Sequence, residues 1–282
     1  MVQRSCRKGA LTLSNAGTLS CLFSGVGSAF SKRHYQTNLL IIKGEDHILI
    51  DCGSRTPQAF HELGISITDI EYFFITHSHA DHIGGLEEAM LMDRYVAKKR
   101  PKIVIPPAYQ RLLWDMSLKG GAAFNERHNG KNLGFEDLWE PVRPVKVKGL
   151  GRETWEIGIG SINLKMFRTM HIPDNAAGWK DSFWSFGVLA DERFLFTGDT
   201  RFDPSLLEEF TAAFDPEIIF HDCQFFTGGV HAGLDELATL PSELKKGMIL
   251  VHYGDNWEAM RKTVRDLGFR GLAKQWTYYD FD

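Results

Sequence analysis

Short apolar runs bounded by polar turns dominate the first third of the chain. Thr18–Ser24 reads as a strand that runs into the turn Gly25-Val26-Gly27-Ser28. Asn38–Lys43 and His47–Asp51 are two further strands, and Gly44-Glu45-Asp46 between them is a hairpin signal. Pro57–Leu63 has the spacing of a short helix, Glu71–Thr76 is an aromatic and β-branched strand, and Ile83 to about Ala97 is helical in period. After the strand Lys102–Ile105 the pattern loosens. Two helical stretches, Ala108–Leu118 and Phe135–Glu140, are separated by Gly120-Gly121 and Asn129-Gly130. Strands then return at Glu153–Ile157, Ile162–Thr169, Ser182–Ala190 and Phe194–Thr197.

The last third alternates helix and strand. Asp203-Pro204 is an N-cap followed by proline at the first helical position, opening a helix to about Phe214. Glu217–Phe220 and Met248–Val251 are buried-type strands, Trp257–Leu267 is amphipathic, and Tyr278–Phe281 is expected to close the chain as an edge strand. Two strand-rich runs, each ending in alternating helices, predict an α/β chain of two similar halves whose sheets pack face to face. With no repeat or linker in view, the expectation is a single domain over residues 1–282, with a mostly helical insertion at about 107–150.

Composition narrows the function classes. A chain of 282 residues is long enough to bury roughly three quarters of its unfolded surface without staples. No run approaches the ~20 apolar residues of a spanning helix, so no membrane partner is expected. Lys and Arg number 32 against 36 Asp and Glu, a net charge of −4. That balance argues against a long nucleic acid held by its backbone, although a local basic patch can hide inside the average. Four cysteines without paired spacing suggest neither a disulfide framework nor a four-cysteine zinc site. Ala10–Ser20 is too rich in Ser, Thr, Asn and Gly for a signal segment, so a cytoplasmic enzyme is expected.

The decisive segment is Thr76-His77-Ser78-His79-Ala80-Asp81-His82-Ile83-Gly84-Gly85, placed just after a buried strand and just before a helix. Histidines two apart on an extended loop face the same side and can share one metal. Asp81 and His82, at the helix start, point elsewhere and can serve a second. Imidazole and carboxylate suit zinc, with manganese or iron also fitting. Further candidates each follow an apolar strand: His171, Asp199 and His252 stand at the strand ends where α/β folds collect active-site groups. His34, His47, His61 and His128 read as surface or loop residues, and His221 as a structural hydrogen-bonding group. Trp114, Trp139 and Phe124 could stack a base as a lid, but packing or a contact in a homodimer explains them equally, and packing is the favoured expectation.

With these residues in place the chain resembles the metallo-β-lactamase superfamily from the glycine turn at Gly25 to His252 and the helix beyond. The resemblance implies a four-layer αββα sandwich with two metals at one edge. It assigns His77, His79 and His171 to the first metal and Asp81, His82 and His252 to the second, with Asp199 bridging both. Asp51, in Leu49-Ile50-Asp51-Cys52-Gly53, matches a carboxylate that orients a ligand. Phe220-His221-Asp222-Cys223-Gln224-Phe225 followed by Val230-His231-Ala232 resembles the phosphodiesterase branch that includes transfer-RNA 3′-processing endonucleases of RNase Z type. There a histidine held by an acidic residue donates a proton; here the pair would be His231 and Asp222, with aspartate standing where that branch has glutamate.

No counterpart of the glycine- and lysine-rich arm that grips transfer RNA is present, and Tyr253-Gly254-Asp255 follows His252 in place of a Ser-Arg pair. Within the branch the chain resembles the anti-Pycsar cyclic-nucleotide phosphodiesterases in the Ser24–Asn38 start, the His221–His231 segment and the compact length. The resemblance implies a small-nucleotide substrate such as cCMP or cUMP, opened to the nucleoside monophosphate. The attacking hydroxide would be shared by two Zn2+ about 3.5–4 Å apart, with Asp81, Asp222 and His231 among the catalytic residues. An RNase Z-like endoribonuclease, a lactone, thioester or β-lactam hydrolase, and a metal-dependent ligand sensor remain the alternatives.

Overall fold

The computed structural model describes residues 1–282. Two eight-stranded sheets carry the chain. The first runs, in spatial order, Val2–Ser5, Thr277–Phe281, Leu19–Gly25, Asn38–Lys43, Asp46–Ile50, Tyr72–Phe74, Lys102–Val104 and Glu140–Val142. The second runs Val145–Lys146, Thr154–Ile159, Ile162–Arg168, Phe186–Ala190, Phe194–Phe196, Ile218–Asp222, Met248–Val251 and Gly271–Leu272. Both follow one plan, in which antiparallel pairing gives way to parallel pairing: after Asp46–Ile50 in the first sheet and after Phe194–Phe196 in the second.

Alternation along the strands explains the layers. In the second sheet Val188, Phe196, Phe220, Ile249 and Val251 enter the large core shared with the first sheet, while Leu189, Leu195, Ile219 and Leu250 join a separate cluster with Leu206, Leu207, Phe210, Leu237 and Val264 of the covering helices. Side chains of a strand point alternately to opposite faces, so strands buried on both faces become continuous apolar runs. Between the sheets Phe23 meets Phe220 and Phe196 edge-on, with ring centroids 5.0 and 5.9 Å apart. Each such fully buried ring contributes roughly 1.5–3 kcal/mol over an exposed one. Phe60 and Leu63 of the helix Thr56–Leu63, with Leu86, Ala89 and Met90 of the helix Leu86–Met92, cover the other face of the first sheet. The result is the expected αββα order of four layers. No helix is long and apolar enough to cross a membrane, and all four cysteines are buried and free.

Three expectations need correction. Thr277–Phe281 is an interior strand, because Val2–Ser5 pairs along its free side. The stretch Ile83–Ala97 is not one helix: a short turn Ala80–Ile83 precedes Leu86–Met92, and Asp93–Ala97 widens into a π-helical turn. The break falls at Gly84-Gly85, where a Cβ on Gly85 would lie 2.6 Å from the Gly53 carbonyl oxygen. Glu140, expected to end a helix, instead opens a short parallel strand. The segment 107–150 otherwise holds helical turns from Pro107 to Ala122, a small hairpin at Arg127–His128 and Lys131–Asn132, and the helix Phe135–Leu138.

Candidate metal centre

The loop after Tyr72–Phe74 and the ends of several strands of the second sheet meet at one edge of the sandwich. Asp51, His77 and Asp199 each stand one to three residues past the end of a strand. Asp51 and His252 both adopt left-handed backbone conformations, with φ of 67° and 63°. Such conformations cost non-glycine residues energy and collect at functional sites. Gly53 lets the two loops touch: a Cβ there would lie 2.0 Å from the Asp81 carbonyl oxygen.

Asp199 is the hub. Its Oδ2 lies 3.2 Å from His82 Nε2, 3.4 Å from His252 Nε2, 3.8 Å from His77 Nε2, and 3.9 Å from both His171 Nε2 and His231 Nδ1. Asp81 Oδ2 is 3.2 Å from His82 Nε2. His79 Nδ1 sits 2.9 Å from His77 Nε2 and 3.3 Å from His171 Nε2. The ligand atoms fall into three groups, each within 4.8 Å, of which the last two share Asp199 and His252: His77, His79 and His171; Asp81, His82, Asp199 and His252; and Asp199, Asp222, His231 and His252. All the residues singled out for this site are thus brought together, with Asp51 behind them.

Most of these imidazoles are held by the nitrogen that faces away from the cluster. Asp51 Oδ2 lies 2.7 Å from His82 Nδ1, and both of its oxygens accept from Thr76, at the backbone N–H and at Oγ1, each at 2.7 Å. His171 Nδ1 meets the Val230 carbonyl at 2.8 Å, and His252 Nδ1 meets Thr37 Oγ1 at 3.2 Å. Anchoring one ring nitrogen leaves the other aimed inward, where it can serve as a ligand. Thr37, Thr76 and the Val230 carbonyl are the site residues that sequence reasoning missed as partners. Thr37 and Thr76 were legible as polar residues flanking apolar strands; a backbone carbonyl leaves no mark in a sequence.

Burial works against charge on His82, yet Asp199, Asp51 and Asp81 push its pKa well above the ordinary histidine range. Burial dominates at His171 and lowers it to about 4. At His231 burial is again opposed, here chiefly by Asp222, whose Oδ2 lies 2.8 Å from Nδ1, and the pKa is pushed up to about 9. Asp222 is itself fixed by the Thr200 backbone N–H at 2.9 Å.

The centre passes a direct test for a cation. His82 Nε2, His252 Nε2 and Asp199 Oδ1 are buried with no hydrogen-bond partner in the chain. Leaving each unsatisfied costs about 1–3 kcal/mol, a penalty that coordination would remove. Nitrogen and carboxylate donors in this number fit first-row divalent ions.

The remaining histidines lie elsewhere. His34 and His47 are half-buried and His61 and His128 exposed. His221 is buried with Nδ1 2.7 Å from the Asp222 carbonyl, outside the ligand groups. Trp139 is fully buried against Phe73, and Trp114 packs on Phe135, so neither is a lid; Phe124 alone of the three aromatics is exposed. The segment that carries them reaches the centre through Tyr109, whose hydroxyl is 2.9 Å from Ser78 Oγ in the histidine loop.

Known proteins share this architecture. The protein YhfI of Bacillus subtilis, described as a metallo-β-lactamase fold protein, superposes with a TM-score of 0.67 at 12% identity, covering 94% of this chain and all of that one. The anti-Pycsar protein Apyc1 of Bacillus phage BSP38 is 37% identical over 239 residues, 83% of this chain and 88% of its own. Its namesake in Paenibacillus xerothermodurans is 35% identical over 258 residues, 91% of this chain and 95% of its own. Residues 19–279 match the protein family described as anti-Pycsar protein Apyc1, and the chain belongs to that family.

Proposed function

We propose that this chain is a phosphodiesterase that opens 3′,5′-cyclic mononucleotides, pyrimidine ones included, to nucleoside monophosphates, using two zinc ions at the Asp199 centre. The supporting observation is the His231–Asp222 pair placed beside a cluster of inward-facing ligand atoms. His77, His79 and His171 would hold one ion, Asp81, His82 and His252 the other, with Asp199 between them. Together the ions would activate water and neutralise charge on the phosphoryl oxygens.

The chain's own groups supply the rest. Asp222 fixes Nδ1 of His231 and favours the imidazolium form, in which Nε2 holds a proton. The His231 side chain is 22% exposed where Asp222 is buried, so that proton can reach a substrate. Its delivery to the departing ribose oxygen is general-acid help. Asp51 and Thr76 orient His82, and Thr37 orients His252. In this reading residues 1–282 act as one hydrolase domain, with 107–150 as its insertion.

The test is chromatographic: metal-loaded protein with a panel of 3′,5′-cyclic mononucleotides, with chelated protein and Asp199→Ala as controls. Conversion to a monophosphate that both controls lose is the expected result. No conversion by protein carrying two ions would overturn the proposal and bring lactone, thioester and RNA substrates forward.

A further inference from the structure

A cavity of about 530 Å³ opens between the helix Trp257–Asp266 and the edge strand Gly271–Leu272, and none of the metal-centre residues lines it. Its charged lining is entirely basic: Arg33, Arg261, Arg265, Arg270 and Lys274. In a chain of net charge −4 this is a local reversal of sign.

The helix sorts its charges into stripes. Glu258, Lys262 and Asp266 form one stripe and are satisfied, Glu258 by Arg33 at 2.9 Å and Lys262 by Asp266 at 2.5 Å. Trp257, Arg261 and Arg265, also spaced four apart, form the stripe that lines the cavity. Arg261 and Arg265 are like charges one turn apart, an arrangement that destabilises a helix, and neither forms a salt bridge. Arg270 and Lys274, on the opposite wall, form none either. Four cations therefore line one cavity with no salt bridge among them, while the acidic residues Glu258 and Asp266 are paired with other groups.

The floor is open as well. A Cβ built on Gly271 would meet nothing within 4 Å, and the strand Gly271–Leu272 is the last of its sheet. Arginine forks match phosphate oxygens in geometry as well as charge, and the volume suits a nucleotide-sized molecule. We propose that this cavity is a second, non-catalytic anion site that takes the phosphate chain of a nucleoside polyphosphate or of free polyphosphate. The proposal is independent of the reaction assigned to the metal centre.

Calorimetric titration of the full chain tests it, in the parent and in Asp199→Ala, with a non-hydrolysable adenosine triphosphate analogue, inorganic triphosphate and adenosine. Saturable binding of a triphosphate at one site per chain, retained in Asp199→Ala and absent with adenosine, supports the site. Tighter binding of the analogue identifies the nucleotide as the ligand; equal binding of inorganic triphosphate identifies the phosphate chain alone. Arg261→Glu with Arg265→Glu should weaken binding by about 100-fold, roughly tenfold per lost charge-assisted contact, with circular dichroism unchanged. Should that variant fail to fold, Arg270→Ala with Lys274→Ala on the other wall serves the same purpose. Binding that survives these variants in folded protein, that vanishes in Asp199→Ala, or that does not occur would overturn the proposal. So would affinity for an oligonucleotide that grows with its length, which would mark the cavity as part of a nucleic-acid surface.

Discussion

The two sheets share a strand plan but supply the metal centre in opposite ways. The first gives His77, His79, Asp81 and His82 from one loop, where a single turn positions every donor. The second gives His171, Asp199, Asp222 and His252 from different strand ends, so their convergence depends on the register of the whole sheet. A local cluster is positioned by a few backbone hydrogen bonds, such as the His82 N–H to the His79 carbonyl at 2.9 Å. A dispersed set is positioned by the core. The second arrangement places one carboxylate, Asp199, within 3.9 Å of four histidines drawn from both halves: His77, His82, His171 and His252.

The sharpest break of that comparison is Asp199→Ala. Turnover should fall to background, and bound metal, read by mass spectrometry, should drop below the two ions per chain proposed above. Retention of both ions with substantial turnover would mean that the histidine loop suffices and that the second sheet contributes only shape.

Next come two carboxylate–imidazole pairs, one in each half. Asp51–His82 and Asp222–His231 are alike in length, 2.7 and 2.8 Å, yet the proposed roles differ. His231→Ala should slow turnover by roughly 10²–10⁴-fold, the usual scale of general-acid help, with the metal content unchanged. Asp51→Asn should instead weaken metal affinity by about 10–100-fold, as loss of a ligand's orienting partner does, and added metal should restore turnover. If His231→Ala emptied the site, His231 would be a ligand and the division of labour would be wrong. A smaller loss of affinity is expected for Thr37→Val, which removes the hydroxyl beside His252 Nδ1 and leaves the strand intact.

Legibility in the sequence follows the same division. The loop donors could be read because they are contiguous and follow an apolar strand. The dispersed donors could be read only as polar residues at strand ends, and which of them meet could not be read without the resemblance. Short edge elements escaped altogether. Val2–Ser5 carries only one apolar residue and Val145–Lys146 is a two-residue strand, so neither shows a period, and the first hides the interior position of Thr277–Phe281. Gly84-Gly85 was visible, but its effect on the helix depends on the Gly53 loop across from it, which is tertiary information.

The smallest effect separates a buried carboxylate that serves the centre from one that does not. Asp199 is buried among histidines; Asp93, in the helical layer of the first half, is equally buried, and neither of its oxygens has a hydrogen-bond partner. Its nearest cation is Lys99, at 3.7 Å. Burial raises the Asp93 pKa to about 6, despite Lys99. A folded-state pKa above the unfolded value means that the folded form holds its proton more tightly. The penalty is therefore absent below the unfolded pKa near 3.8, grows as pH rises toward 6, and is complete above it. Asp93→Asn removes that ionisation and should stabilise the protein by about 1–2 kcal/mol at pH 7.5, read as a higher Tm. The gain should shrink toward zero near pH 4, and turnover by the metal centre should not change. A variant with the same Tm advantage at both pH values would show that the gain comes from something other than this carboxylate's charge.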